Sequence, residues 1–271
     1  MAKWVPPAQL QPKIVQARAN LRRWRLVEWV VFYVLVPAIL LLVYALPQPV
    51  RDGWFILNTT SMGRIPTWFL SSYSHSQLYP HLAGNLAFYL VTLLMIFSFE
   101  DNRLRFWLVS SVALCLVPFI SSFLTAGFWG LLGKTTTGQG FSAIDGAFLA
   151  YAMFIFVIWG IGDGLGDFDH PEYFTGSERR FNLSRILLGL ILALIVVMGI
   201  QFGIFMDTGG SVVNGIAHFG GYITSLAALW IFDLKTEKRK FFDGLLGTSI
   251  LIGIFWYAFY LDLLIRFVKG S

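Results

Sequence analysis

Seven stretches of this sequence are apolar for about as long as a helix must be to cross a bilayer: 27–46, 81–98, 105–124, 142–160, 183–204, 213–232 and 244–267. About 20 such residues span the hydrocarbon core, and inside it only helices and closed barrels satisfy their own backbone. The balance of the chain agrees, with 56% hydrophobic and 13% charged residues, where a soluble domain carries about 25% charge. The expected fold is an all-α, polytopic membrane helix bundle surrounded by lipid. The first 25 residues are polar and basic, so no cleavable secretory signal is read there. A single cysteine, Cys115, leaves no intramolecular disulfide. The net charge of +5 is no sign of a nucleic-acid partner, because the basic residues cluster beside the spans, where topology explains them.

Counting Lys and Arg orients the bundle. With the N-terminus inside, fifteen fall on inner segments and five (Arg51, Arg64, Lys134, Arg266 and Lys269) on outer ones. The expectation is a cytoplasmic N-terminus, an outside C-terminus and a multi-pass protein of the plasma (cell) membrane. Between the first two spans, 47–80 mixes Trp54, Phe55, Trp68, Phe69 and Tyr73 with prolines and serines. That composition suits short helices lying in the headgroup zone. Residues 161–181 are rich in Gly and Asp and read as an aqueous loop. No internal repeat is evident.

The polar residues inside the spans share one depth. His81 and Asn85 open the second span in "HLAGN", Ser142 opens the fourth in "GFSA", and His218 lies about five residues into the sixth in "GIAHFGG". All three spans run inward, so each group falls near the outer surface. A serine becomes a nucleophile when a base takes its proton, and histidine is the usual base near neutral pH. Acyl transfer also needs donors aimed at the developing oxyanion, which amide and imidazole N–H groups supply. His81 and Asn85, four apart on one helix face, fit that role. Ala217, Gly221 and Ser225 recur around His218, and Ala143, Gly146, Ala147 and Ala150 follow Ser142; small residues let helices approach closely in lipid.

These residues resemble the rhomboid intramembrane serine proteases. "SSYSHSQLYPHLAGN", "GFSA" and "AHFGG" carry the resemblance, in matching order, spacing and topology. It covers residues 27–232 as a six-span core, with 1–26 a basic cytoplasmic segment and 233–271 an inner loop plus an appended seventh span. The resemblance implies Ser142 as nucleophile, His218 as general base, and an oxyanion hole of His81, Asn85 and the Ser142 backbone N–H, with no cofactor or metal. Its substrates would be transmembrane proteins, cleaved where Gly or Pro weakens a helix beside a small residue. His75 matches a further histidine common before the second span; it is read as an interface hydrogen-bonder, and His170 as a solvated loop residue. The chain departs from the family pattern at Ala143, where Gly is frequent, and at Gly146, where an aromatic commonly stacks on the histidine. The Trp-Arg pair frequent after the first span is not evident.

Other readings fit fewer residues. "GIGDGLGD" repeats the Gly-x-Gly-Asp of presenilin-type aspartyl proteases, ending at Asp163 and Asp167, but both are read as loop residues and no partner motif appears. No His-Glu-x-x-His zinc motif is present. A rhomboid-like protein that binds membrane clients with weak or no catalysis is the alternative, although such proteins typically lack the serine or the histidine. A transporter using its intramembrane polar groups is a further alternative. Asn58-Thr59-Thr60 matches a glycosylation sequon. Asp145, one turn below Ser142, is read as a structural polar residue that tunes the site without joining the dyad.

Overall fold

The computed structural model describes residues 24–59, 63–100, 102–131, 135–166 and 215–232, together with Ala19, Leu21, Arg22 and Gly133; side chains after Ile155 in the helix that begins at Ser142 are outside this description. The predicted fifth and seventh spans, the loop 205–212, His170 and Asp167 also lie outside the described residues.

The described chain is mostly helical. Helix α1 (Leu26–Ala45) is followed by short helices α2 (Gln48–Trp54) and α3 (Ile65–Leu70), the latter continued by a tighter turn over Ser71–Tyr73. Then come α4 (Leu78–Phe99), α5 (Arg103–Leu131), α6 (Ser142–Gly166) and α7 (Gly215–Phe232). A two-stranded ribbon pairs β1 (Leu57–Asn58) antiparallel with β2 (Thr137–Gly138), Leu57 opposite Gly138 and Asn58 opposite Thr137. Helices α1, α4, α5 and α7 are long and apolar enough to cross a membrane. Their outward faces expose Leu42, Val91, Phe123 and Trp230, an exterior that hydrocarbon suits better than water. The described residues of 47–80 include the short helices α2 and α3, as the composition predicts. Asp163 is a correction: expected in a loop, it lies on helical backbone, because α6 continues to Gly166.

Helix α6 sits between α4 and α7 and is buried on both sides. Ala143, Ala147, Phe148, Ala150 and Tyr151 are all within the core. Small residues set the approach of α6 to α7. A Cβ added at Gly221 would lie 1.9 Å from the Ala143 carbonyl oxygen, and one at Gly146 would lie 3.1 Å from that of His218. No side chain fits at Gly221 without moving a helix.

Two carboxylates that the sequence reading passes over anchor the end of the bundle opposite Ser142. Glu28 is fully buried and takes Arg103, the Trp107 indole N–H at 3.3 Å and the Arg25 backbone N–H at 2.9 Å. Glu100, 1% exposed, accepts Arg105 Nε at 2.9 Å and Nη2 at 2.7 Å, the Asn102 N–H at 2.8 Å, and the Tyr151 hydroxyl at 2.6 Å. Each buried charge is thus paired and hydrogen-bonded, the condition under which burial is tolerated. Trp24 stacks on Phe97 and Phe106 meets both rings edge-on, with Trp24 Nε1 donating to the Phe97 carbonyl at 2.8 Å.

Candidate active site

The turn before Ser142 is built from outside its own helix. Gly140 has φ +138, a conformation that side chains rarely adopt. Its N–H donates to the Ser71 carbonyl at 3.0 Å, the Ser74 hydroxyl donates to Gln139 Oε1 at 3.3 Å, and the Phe141 N–H donates to His75 Nε2 at 3.3 Å. Residues 71–75 therefore clasp three consecutive positions. They are fixed in turn on α5, where the Tyr73 hydroxyl donates to the Leu114 carbonyl at 2.5 Å and Ser122 Oγ to the Trp68 carbonyl at 2.7 Å. The β1–β2 ribbon pins the same loop from its other end, with the Thr59 and Thr136 backbones bonded at 3.1 Å.

Ser142 is the first residue of α6, not its cap. The Phe141 carbonyl accepts Ile144 N–H at 2.9 Å and Asp145 N–H at 3.0 Å, which makes Phe141 the capping position. A serine that opens a helix is most often a cap. Here the hydroxyl goes elsewhere: Ser142 Oγ lies 2.5 Å from His218 Nε2. His218 is the fourth residue of α7 and 9% exposed. Its Nδ1 is buried and has no hydrogen-bond partner among the described residues. An imidazole protonated at Nδ1 presents the Nε2 lone pair to the hydroxyl, the arrangement a general base requires. Because Ser142 is at the helix start, its backbone N–H has no intrahelical acceptor.

His81 is brought to the same place. A Cβ on Gly140 would lie 3.2 Å from His81 Nε2 and 3.8 Å from Ser142 Oγ, so imidazole and hydroxyl flank one small volume. Asn85 is half-buried one turn along α4, and its Nδ2 lies 2.9 Å from His75 Nε2. His75 hydrogen-bonds, as expected, but within the protein: it is 1% exposed, edge-on to His81 with ring centroids 4.8 Å apart. Burial, with His81 beside it, pushes its imidazole down to about 3, so it is neutral at any pH near 7. Arg51 Nη1 donates to the His75 carbonyl at 3.3 Å, and its guanidinium lies over the Tyr44 ring, 5.2 Å from the centroid. An arginine of the first loop thus ties down this segment.

Asp145 faces another way. Phe141, Asp145 and Phe148 recur at i, i+4 and i+7, hence on one face of α6. The Tyr89 ring of α4 packs edge-on against both phenylalanines, with centroids 5.5 and 5.2 Å apart. The Asp145 carboxyl is therefore directed toward α4, while Ala143 and Gly146 meet α7. Asp145 Oδ1 and the Tyr89 hydroxyl are both buried with no hydrogen-bond partner among the described residues. Among the described residues, no carboxylate partners His218.

Among the described residues, no group of three or more His, Cys, Asp or Glu side chains is placed to hold a metal ion. Compared with family models, curated proteins and solved structures, the chain has no significant match.

Proposed function

We propose that this chain is a rhomboid-type intramembrane serine endopeptidase that cleaves transmembrane segments near the outer membrane face. The observation that carries the reading is the 2.5 Å approach of Ser142 Oγ to His218 Nε2 across two tightly packed helices. In the proposed reaction His218 takes the hydroxyl proton as Oγ attacks the scissile carbonyl carbon. The resulting oxyanion is met by the Ser142 N–H, His81 and Asn85. Protonated His218 then gives its proton to the leaving amine, leaving an acyl-enzyme. Water, activated by the same imidazole, releases the second product and restores the serine. The six-span core with an appended seventh span, and the inward course of α4, α6 and α7, belong to the same proposal. It is supported by His81, Ser142 and His218 each lying in the first turn of its helix. The segment 47–80 would border the water access, and substrates would have Gly or Pro near a small residue at the cleaved bond. The rival reading, a client-binding relative without catalysis, leaves the Ser142–His218 bond without a use.

The test is cleavage of a transmembrane substrate by the purified chain. Ser142→Ala and His218→Ala are each expected to abolish cleavage while still inserting and folding; substantial turnover by folded Ser142→Ala rejects the mechanism.

A further inference from the structure

His75 stands out because a single ring nitrogen receives two bonds. The Phe141 backbone N–H can only donate, so His75 Nε2 must carry the lone pair and the ring proton must sit on Nδ1. Asn85 also meets Nε2 and must therefore offer its NH2 group and not its carbonyl oxygen. An Asn amide that could otherwise turn either way is fixed in one orientation. One of its two N–H bonds goes to His75, and the second remains for another acceptor. The same nitrogen occupies the Phe141 N–H, which leaves the Ser142 N–H as the backbone donor at this turn. The residue is itself held, with its backbone carbonyl accepting from Arg51 and its ring edge-on to His81.

We propose that His75 is a positioning residue for the oxyanion hole, orienting the Asn85 amide and the Phe141–Ser142 backbone through the Nε2 lone pair. The proposal rests on the serine-protease reading above and goes beyond it. His75 touches no reacting atom. It decides which end of the Asn85 side chain the oxyanion meets, and it leaves that contact to the second Nδ2 hydrogen. Losing His75 should therefore cost about what losing Asn85 costs, and the two losses should not multiply.

The experiment measures cleavage kinetics of the full chain in detergent or liposomes with a transmembrane substrate, for His75→Leu, His75→Gln, His75→Asn, Asn85→Ala and the double variant His75→Leu/Asn85→Ala. His75→Leu and Asn85→Ala are each expected to lower kcat by about 10–1,000-fold, with KM changed by less than about threefold. Adding His75→Leu to Asn85→Ala should cost less than about a further threefold. Gln sets an acceptor oxygen near the position of Nε2, whereas Asn sets it near Nδ1. His75→Gln should thus restore most of kcat and His75→Asn should not. Wild-type kcat in His75→Leu, or effects that multiply in the double variant, would overturn the proposal. Where His75→Leu does not fold, equal kcat in the Gln and Asn variants overturns it. Cleavage that persists in Ser142→Ala sinks the protease reading itself, a failure separate from any result at His75.

Discussion

Ser142 and Asp145 lie three residues apart on α6 and meet different neighbours. The hydroxyl reaches His218 on α7, while the carboxyl lies on the face that Tyr89 of α4 covers. Asp145→Asn keeps the shape and hydrogen-bonding capacity of that buried group, and cleavage within about threefold of wild type is expected. Asp145→Leu should mainly lower stability, by about 1–3 kcal/mol, because a larger branched side chain must fit a buried, closely packed position. Thermal unfolding and cleavage rates of both variants check this; Asp145→Asn as inactive as Ser142→Ala in a folded protein would make the site a triad. At this scale the sequence is readable where residue type and depth coincide, as for Ser142, His81 and His218. It is not readable where a role depends on which atom meets which. His75 is read in sequence only as a hydrogen-bonder before the second span, and only the turn at Gly140 brings the Phe141 N–H onto its ring.

Helix α6 shows how much of an element its small residues decide. Ala143, Gly146 and Ala147 mark it in sequence as a close-packing helix, but the partner for each face depends on tertiary packing. Gly146 is read from the sequence as a missing aromatic, whereas its place against the His218 carbonyl shows a backbone contact that a larger side chain would push open. Gly221 is more severe still, since any Cβ there meets the Ala143 carbonyl. Gly221→Ala must shift α7, and His218 with it. Overpacking of this kind costs about 1–3 kcal/mol, and a displacement of about 1 Å at the reacting groups can cost about 100-fold in rate. The variant is expected to insert and fold with cleavage at least about tenfold lower. Wild-type cleavage by Gly221→Ala would show that the helix contact does not set the Ser142–His218 geometry. Glu28 and Glu100 belong to the same lesson. Neither falls in a pattern that marks a pair, because their arginines arrive from the first turn of α5.

Across the whole molecule, long apolar runs announce the helix bundle, and four described helices have the length and apolarity to span a membrane. Their boundaries follow local chemistry. Pro80 favours extended backbone at the residue before it, and Tyr79 takes φ −125 and ψ 136 inside the opening turn of α4. The relation between helices was legible only as a shared depth of His81, Ser142 and His218. The ribbon joining Leu57–Asn58 to Thr137–Gly138 was not, because two-residue strands carry no periodicity. The central claim is that Ser142, activated by His218, is a nucleophile within this bundle. It is tested most directly by treating the purified chain with a serine-directed fluorophosphonate and mapping the adduct by mass spectrometry. A single adduct on Ser142, lost in Ser142→Ala and strongly slowed in His218→Ala, is the result the account predicts. No adduct on folded wild-type protein, or equal labelling of Ser142→Ala, would contradict it.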